Sequence, residues 1–413
     1  MTLASGRPPT DGDAVLGVSP EVVFEPPTVE EAARIVGESV SAGKSLAFVG
    51  GGTDLELGSH PERLDVVVRT RRLDRVLEHA PSDQIVVAEA GVTLAALARV
   101  LAAHGQRLAL DPPLPDRATV GGVVAANAFG PRRTRYGSVR DLIIGISFVR
   151  SDGRLAHGGG KVVKNVAGFD LPKLMVGSLG TLGLITTVTF RLHPLPEETV
   201  TLLSPGRRAT EIVSLVARMH AAQLEPTSVV ALWREGDRFD LAVRFEGFGR
   251  GVAEQRERFA SMASSEAQSE CHTLDAAAQE ALWARHDALL RAGSFRAKLA
   301  ALPAAFATVA GQTLVPLLSA LESPGLLWYP TLGLGFVTGE ARATEGVAVA
   351  VFSARTTLGA EGGSLVLHAA PDSLRRRVDV WGSPPSAIGL MKGVKTRFDP
   401  TRRLAPGRFV GGL

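Results

Sequence analysis

Glycine is unevenly distributed in this sequence, and its densest stretch stands directly before an apparent strand. Residues 158–186 read GGGKVVKNVAGFDLPKLMVGSLGTLGLIT and contain seven glycines. The stretch runs into the β-branched series from Ile185 to Thr189, which favours a strand. Because glycine weakens regular structure and leaves the main chain uncovered, this pattern indicates either an ordinary loop or main chain kept bare for a large ligand.

Composition narrows the class of protein. A chain of 413 residues with 45% hydrophobic residues is long enough for two or three domains with their own cores. A net charge of +3 gives no basic footprint of the kind that nucleic-acid binders need. The single cysteine, Cys271, excludes an internal disulfide and a cysteine-ligated cluster, and it fits a reducing compartment.

Two segments of the sequence bear on the cellular location of the protein. The first 21 residues have neither a basic start nor an apolar core, so we expect no signal peptide. Residues 299–321 carry no charge over a length that could span a bilayer. They contain two prolines and a glutamine and are rich in Ala and Thr, which favours a buried strand–helix segment. We therefore expect a cytoplasmic protein, with peripheral association at the inner face of the membrane as the alternative.

The first half of the chain alternates strands, glycine turns and helices. Thr28 and Glu31 have capping-box spacing at the start of a helix over 28–44, and Thr93 precedes a second amphipathic helix. The stretches SLAFVGGGTD, RLDVVVRT and QIVVAEAGVT read as strands, and an Asp-Gly turn within 141–155 predicts a hairpin. This alternation indicates an α/β layer.

The composition changes after the prolines at 194 and 196. Helices predicted over 208–222 and 274–292 separate strands such as FDLAVRFEGF and GSLVLHAAP. That order is typical of an antiparallel sheet backed by helices. The C-terminal stretch IGLMKGVKTRFDPTRRLAPGRF reads as a short basic helix followed by a Pro-Gly turn.

Three glycine-rich turns are the candidate ligand-binding segments. They are VGGGTDLELG (49–58), ATVGGVVAANAFGPRRTRYGSVRD (118–141) and the opening stretch. The N–H groups of Gly50–Gly52 can form a nest for an anion, and a helix starting after Thr119 would offer free N–H groups to a phosphate oxygen. Neither G-x-G-x-x-G nor the P-loop pattern is present. The small residues before Ile185 leave room for a flat ring, so the three turns suggest a long ligand with phosphates at one end and an aromatic plane at the other.

Together these turns resemble the FAD-binding domain of the vanillyl-alcohol oxidase / p-cresol methylhydroxylase (PCMH) superfamily, and within it the FAD-binding subunit of glycolate oxidase. The motifs KVVKNVAGFDLPKLMVGSLGTLGLI and FDPTRRLAPGRF add to the likeness, which covers 22–196 and the last 25 residues. It implies an α+β fold class. We expect a loose leader (1–20), a two-subdomain PCMH-type FAD-binding domain (21–196), a second α+β domain with an antiparallel sheet and helices (197–375), and a C-terminal segment (376–413) that returns to the FAD domain.

The resemblance also implies site residues. Residues 50–54 would hold the pyrophosphate, the second turn and 127–137 would line the adenine-to-ribityl portion, and the third turn would flank the isoalloxazine. The predicted FAD-binding residues are Gly50, Gly51, Gly52, Thr53, Asp54, Thr119, Gly121, Gly122, Asn127, Arg135, Tyr136, Gly137, Lys164, Gly180, Gly183 and Ile185. For Lys164 a solvated loop is an equal alternative. Of the cluster Arg132, Arg133, Arg135 and Arg140, we expect only one to touch the cofactor.

Several residues depart from the family pattern or have a simpler role. Thr53 stands where members with covalent FAD have a histidine, which implies noncovalent FAD. Ser364 stands where sister subunits often have a metal-ligating histidine, and the nine histidines show no ligand spacing, so we assign no metal site and no catalytic residue. Asp170 is expected to cap a short helix, and His368 to be a core or rim histidine. Trp283 and Trp328 are expected to pack in the second domain.

The function that the resemblance implies is that of an FAD-binding subunit in a glycolate oxidase-type 2-hydroxy-acid dehydrogenase complex, with (S) stereochemistry left open. Its flavin would accept or relay electrons taken from a small 2-hydroxy acid. Its partners would be a sister catalytic flavoprotein subunit and an iron–sulfur subunit. The alternatives are a free-standing FAD-dependent alcohol or hydroxy-acid oxidoreductase, and a non-catalytic structural FAD-binding subunit.

Overall fold

A computed structural model describes residues 6–162, 168–264 and 270–413 of the chain. The strands in this part are β1 (Val22–Phe24), β2 (Leu46–Val49), β3 (Val66–Arg69), β4 (Val76–Ala80), β5 (Ile85–Glu89), β6 (Gln106–Arg107), β7 (Ile143–Val149), β8 (Leu155–Gly159), β9 (Leu184–Arg191), β10 (His193–Pro194), β11 (Glu198–Arg207), β12 (Ser228–Glu235), β13 (Arg238–Gly247), β14 (His272–Thr273), β15 (Phe295–Ala300), β16 (Glu322–Tyr329), β17 (Leu334–Glu340) and β18 (Ser364–Ala369). The α-helices are α1 (Val29–Ser41), α2 (Leu94–Ala102), α3 (Val120–Ala126), α4 (Arg133–Tyr136), α5 (Val139–Leu142), α6 (Leu171–Met175), α7 (Ala209–Ala221), α8 (Gly249–Ser264), α9 (Ala276–Leu289), α10 (Phe306–Val309), α11 (Val315–Ser319), α12 (Thr344–Ala360), α13 (Asp372–Arg375) and α14 (Ile388–Phe398).

The chain divides into two compact units. The first unit comprises Met1–Gly130, Gly137–Leu195 and Ser383–Leu413, and the second comprises Pro131–Tyr136 and Pro196–Gly382. Both units are therefore assembled from separated stretches of sequence.

The first unit contains a parallel sheet, in the order β1-β3-β2, and an antiparallel sheet, in the order β4-β5-β9-β7-β8. Helix α1 buries Ala32, Ile35 and Val36, which lie on one face because they are three and four residues apart. These side chains share one core with residues of both sheets and with Leu404. The C-terminal stretch joins the parallel sheet beside β2, since the Leu46 N–H donates to the Arg403 carbonyl at 2.7 Å and the Ala405 N–H donates to the Leu46 carbonyl at 2.7 Å.

Local signals read from the sequence are confirmed in this unit. The Thr28 hydroxyl oxygen accepts a hydrogen bond from the Glu31 N–H at 3.2 Å, and Thr93 caps α2 in the same way. The Asp-Gly turn joins β7 to β8 with Gly153 at φ +77°, a left-handed conformation that glycine adopts without strain. The Asp170 carboxylate accepts a hydrogen bond from the Lys173 N–H and so caps α6, as expected.

The second unit is an eight-stranded antiparallel sheet in the order β14-β11-β13-β12-β16-β17-β15-β18. Its core lies between one face of the sheet and the helices α7, α8, α10, α11 and α12, and it includes Trp328. Neighbouring positions of a strand point to opposite faces, and the other face carries buried apolar residues such as Leu232 and Leu327 together with the basic residues Arg296, Lys298 and His368. The chain thus has the α+β class and the antiparallel second domain that the sequence predicts.

The uncharged stretch 299–321 does not form a single helix. It comprises the end of β15, short 3-10 and π turns, and the helices α10 and α11, so the predicted buried strand–helix segment is confirmed. Among the described residues, no helix combines the length and the apolar composition that crossing a membrane requires.

Candidate cofactor site

A cleft opens in the first unit where β2 ends. We call it the glycine cleft, because its walls come from the three glycine turns, from β9 and from the C-terminal stretch. It is lined by Phe48, Val49, Gly50, Gly51, Gly52, Thr53, Asp54, Leu55, Thr70, Ala90, Gly121, Gly122, Ala125, Ala126, Leu179, Gly180, Gly183, Leu184, Ile185 and Arg408. The three turns, far apart in sequence, therefore meet at one place. The cleft holds 100 Å³, so as it stands it accommodates a section of a long ligand.

Most of the predicted binding residues line this cleft. Those that do are Gly50, Gly51, Gly52, Thr53, Asp54, Gly121, Gly122, Gly180, Gly183 and Ile185. Thr119 lies directly behind the lining, where its hydroxyl oxygen accepts a hydrogen bond from the Gly122 N–H at 3.3 Å. Asn127 ends α3 in a left-handed conformation, and its Oδ1 is buried without a hydrogen-bond partner among the described residues.

The remaining predicted residues lie elsewhere. Arg135 and Tyr136 belong to the second unit, where the Arg135 guanidinium pairs with Glu225 at 2.6 Å. Arg132 likewise pairs with Glu246 at 3.1 Å within that unit. Gly137 is placed at φ +79° beside Asp141 and does not line the cleft. Lys164 lies outside the described residues.

Close approach of main chain explains several of the glycines. A Cβ atom at Gly51 would lie 1.7 Å from the Arg117 carbonyl oxygen, and one at Gly183 would lie 2.7 Å from that of Val149. At Gly122, by contrast, a Cβ would meet only the Thr119 hydroxyl, at 3.1 Å. The bare main chain at Gly51 and Gly183 is thus required by the protein itself, whereas Gly122 leaves space that a ligand can use.

The first turn offers hydrogen-bond donors. Within the described part of the chain, the N–H groups of Gly50, Gly51 and Gly52 reach no acceptor, and Gly52 has φ +72°. Successive donors of this kind form an anion-binding concavity. A phosphate group fits such a set of donors.

The expectation of free N–H groups at the start of α3 is wrong. The Val120 N–H donates to the Val92 carbonyl at 2.8 Å, and the Gly121 N–H donates to the Ala90 carbonyl at 2.8 Å. The Gly122 N–H donates to Thr119. Because tertiary contacts consume these donors, α3 contributes shape to the cleft and not an anion site.

Arg408 is a lining residue that the sequence-based site prediction missed. Its guanidinium donates to the main-chain carbonyls of Leu55 at 3.0 Å and Leu57 at 2.7 Å, so it holds the first turn in shape. It also brings a positive charge to the cleft, beside the carboxylate of Asp54. The signal for it was the C-terminal motif LAPGRF, which contains this arginine.

Comparison with known proteins bears directly on this cleft. Residues 20–159 match the family model described as FAD binding domain, and this range contains the first two glycine turns. The solved structure of p-cresol methylhydroxylase with substrate bound has a TM-score of 0.74 over 97% of this chain and 90% of that one, at 15% identity. That likeness shows that the fold is of the PCMH type.

Two curated relatives carry names that bear on function. Glycolate oxidase subunit GlcE of Escherichia coli (strain K12) is 32% identical over 225 residues, which are 54% of this chain and 61% of that protein. A D-lactate dehydrogenase of Archaeoglobus fulgidus is 36% identical over 186 residues, which are 45% of this chain and 41% of that protein. The chain therefore spans less than two thirds of the length of these relatives.

The glycine cleft has the features that FAD requires. The unused N–H groups at Gly50–Gly52 suit the pyrophosphate. The space at Gly122 admits a ligand close to the main chain. FAD, when bound, supplies the redox chemistry, and this chain supplies its binding and orientation.

The second unit carries a separate group of basic side chains on the face of its sheet that is opposite the core. We call it the cationic face, and it comprises Arg296 and Lys298 of β15 and His368 of β18. The charges of Arg133 and Arg291 act on this group from outside the strands. Burial, together with the charge of Arg133, lowers the pKa of Lys298 to about 8. Burial also lowers the pKa of His368 well below its ordinary value, helped by Lys298, Arg296 and Arg291. The burial and the neighbouring cations keep the imidazole neutral because they disfavour its protonated form, and the cations attract an anion.

The aromatic residues of the second unit have structural partners. Trp328 is fully buried and stacks on Phe306, which confirms the packing role expected for it. The Trp283 ring lies under the Arg244 guanidinium, at 3.7 Å from its centroid. The His286 Nε2 and the Tyr329 hydroxyl are joined by a hydrogen bond of 2.7 Å.

Proposed function

We propose that this chain is an FAD-binding subunit of a glycolate oxidase-type 2-hydroxy-acid dehydrogenase complex, in which its flavin accepts or relays electrons. The observation that carries the proposal is the meeting of the three glycine turns and Arg408 at one cleft. The names of the relatives supply the reaction class, since both concern oxidation of a small 2-hydroxy acid. The name of the D-lactate dehydrogenase favours a D-2-hydroxy acid as the substrate over the (S)-2-hydroxy acid that the sequence resemblance left open.

The FAD is proposed to be noncovalent. Thr53 occupies the position where a histidine would form the bond, and its hydroxyl donates to Asp54 at 3.3 Å. The residues lining the cleft include no histidine, cysteine or tyrosine. Precipitation with acid should therefore release all of the yellow cofactor into the supernatant. Flavin fluorescence that stays with the denatured chain would contradict noncovalent binding.

The partners are proposed to be a sister catalytic flavoprotein subunit and an iron–sulfur subunit, in a cytoplasmic complex that associates peripherally with the membrane. Cys271, the single cysteine, cannot hold an iron–sulfur cluster by itself, and burial raises its pKa to about 11. Passage of single electrons from the flavin to an acceptor of that kind therefore requires another chain.

Affinity purification from the native cell tests the proposed complex. The result expected is co-purification of a second flavoprotein and a cysteine-rich chain, with glycolate or D-lactate reducing the flavin of the complex under anaerobic conditions. The isolated chain should bind FAD and show little turnover with the same acids. Purification of the chain alone, without these partners, would contradict membership of the complex.

A free-standing oxidoreductase is the second candidate, and the cationic face favours it. Arg296 and Lys298, beside a neutral His368, provide positive charge for the carboxylate of a substrate. Anaerobic addition of D-lactate to the isolated holoprotein separates the two functions. Loss of the flavin absorbance at a rate close to that of steady-state turnover would favour the free-standing enzyme. An unchanged spectrum would favour the subunit.

A further inference from the structure

The uncharged stretch 299–321 has an outward side that the packing of the second unit does not use. Its helical part, 306–319, comprises α10, a π turn and α11 and buries Phe306 and Leu317 in the core. Helix α12 packs beside α11 and the π turn and buries Val351 in the same core. The two helical segments therefore form one layer, whose other side faces away from the sheet.

We call this outward side the α11–α12 face, and it consists of the exposed positions of 306–319 and 346–360, both of which the structure describes in full. These positions hold Gly, Ala, Ser, Thr, Gln, Pro, Val or Phe, and none holds a charged residue. The solvent side of a helix normally carries charged and polar residues. Here Val315, Val349 and Phe352 are 41%, 64% and 53% exposed. Large apolar side chains grouped on a surface mark a site where another molecule binds.

The charge distribution limits what that molecule can be. Arg355 of α12 is half-buried, and its guanidinium donates to the Leu365 carbonyl at 3.1 Å and to the Val380 carbonyl at 3.2 Å, so it points away from the face. Attachment to an anionic lipid surface needs a basic rim, and no lysine or arginine is exposed within the two ranges of the face. The face therefore suits an uncharged protein surface, and the chain itself carries one.

Opposite charges stand at the two ends of α12. Glu361 is exposed just after the helix. Arg342, just before it, pairs with Glu322 at 2.9 Å and keeps 75% of its side chain exposed, so it can also meet a second carboxylate. Two copies of α12 that run antiparallel bring the Arg342 end of one to the Glu361 end of the other, and they also oppose the two helix dipoles.

The size of the face fits a weak dimer. Helix α12 has 17 residues, which makes it about 25 Å long, and two packed helices are together about 20 Å wide. The face thus offers about 500 Å² on each copy, or about 1,000 Å² in all, which is the smallest area expected of a specific interface. An interface at this limit of size typically gives a dissociation constant in the micromolar range.

We propose that the α11–α12 face binds a second copy of this chain across a twofold axis. The axis lies midway between Val349 and Phe352, so α12 of one copy runs antiparallel to α12 of the other. Val349 of each copy then packs on Phe352 of the other, which gives the reciprocal contacts of a twofold interface. Glu345, in the first turn of α12, lies opposite Thr356 of the second copy, so like charges do not meet.

Sedimentation equilibrium of the purified holoprotein tests the interface. The wild type should show a monomer–dimer equilibrium in the micromolar range. Val349→Lys and Phe352→Glu should each raise the dissociation constant about tenfold or more, because each places an unpaired charge in a desolvated contact. A mixture of the two variants should dimerise again. The new ammonium of one variant then meets the new carboxylate of the other, and the second Val–Phe contact is unchanged.

The matched control is Phe248→Glu, since Phe248 is 76% exposed in the same unit and lies outside the face. It should dimerise as the wild type does. Because all three side chains are exposed, every variant should keep the unfolding midpoint and the FAD content of the wild type.

Three results would overturn the proposal. They are a wild type that stays monomeric at all concentrations, a Phe352→Glu protein that dimerises as the wild type does, and monomeric single variants that do not dimerise when mixed. Cosedimentation of a monomeric wild type with phosphatidylglycerol vesicles, lost in Phe352→Glu, would assign the face to a lipid surface instead.

Discussion

The glycine cleft of the first unit and the cationic face of the second unit are built from different parts of the polypeptide. The cleft is formed largely by main chain, and its shape depends on contacts such as that of Gly51 with the Arg117 carbonyl. The cationic face is formed by side chains on strands whose positions are set by the sheet and by the core on its other side. Substitutions in the cleft should therefore alter stability and cofactor binding together, whereas substitutions on the cationic face should alter charge with little effect on the fold.

The largest effect is expected at the lysine that supports the cleft. The buried Lys395 ammonium donates to the Thr181 and Leu404 carbonyls and to the Asp399 carboxylate. Lys395→Met removes these three hydrogen bonds and leaves the carboxylate without its cation. Loss of one partner of a buried ion pair costs about 3–5 kcal/mol. We expect chemical denaturation to show a loss of this size together with weaker FAD binding. Lys392→Met, on the exposed side of the same helix, is the control, and equal losses in both variants would contradict the role given to Lys395.

A somewhat smaller effect is expected at a packed glycine. The Cβ of Gly51→Ala would overlap the Arg117 carbonyl oxygen at 1.7 Å, and overpacking of this kind costs about 1–3 kcal/mol. Thermal unfolding should show a lower midpoint, and FAD content should fall with it. Gly389→Ala, in an exposed helix with no atom near its Cβ, should be neutral or stabilising. A Gly51→Ala protein with wild-type stability would show that the turn can shift.

Gly122→Ala should separate cofactor binding from stability. Alanine is favoured over glycine in a helix, and the only protein atom near the new Cβ is the Thr119 hydroxyl at 3.1 Å. The unfolding midpoint should change little, whereas the Kd for FAD, measured by quenching of flavin fluorescence, should rise about tenfold because the methyl group occupies ligand space. An unchanged Kd would mean that the ligand does not approach this helix.

The smallest effect on stability is expected on the cationic face. Burying the Lys298 charge is unfavourable, as its lowered pKa shows, so Lys298→Met should keep its unfolding midpoint and its FAD. Its affinity for oxalate, measured by isothermal titration calorimetry, should fall. Loss of FAD from this variant would contradict the distinction between the two regions.

The same lysine predicts a pH dependence. With a folded-state pKa of about 8 and an ordinary value of 10.5, Lys298 is charged below pH 8 and loses its charge as the pH rises through 8. Oxalate binding should therefore weaken above pH 8 in the wild type and lose this dependence in Lys298→Met. The sign for stability is opposite. The cost of burying the charge is fully present below pH 8 and is relieved as the pH rises, so the free energy of unfolding of the wild type should increase from pH 8 to 10.5 relative to that of Lys298→Met.

The difference between the two regions also explains what could be predicted from sequence. The main chain of the cleft demands glycine, so Gly50–Gly52, Gly121 and Gly180 are visible as a pattern, and their meeting at one cleft follows from the family resemblance. Arg296, Lys298 and His368 come together only because β15 pairs with β18, across a long separation in sequence. No local pattern marks such side chains as neighbours.

Two findings on the site residues depend on contacts that are distant in sequence. The donors at the start of α3 looked free because the sequence does not show that the Ala90 and Val92 carbonyls reach them. Arg135 was predicted to bind the cofactor because it is near the second turn in sequence; it pairs with Glu225 in the second unit, and its role as a ligand stays a prediction. In both cases a long-range contact sets the surroundings of a local motif.

The pairing of β2 with residues 403–405 places a constraint on biosynthesis. A nascent chain that has emerged only as far as residue 382 already contains every glycine turn, but it lacks the neighbour of β2, the ammonium of Lys395 and the guanidinium of Arg408. The first unit therefore cannot complete its fold until the second has been translated. Binding of FAD should accordingly be among the last steps of maturation, after the chain has left the ribosome.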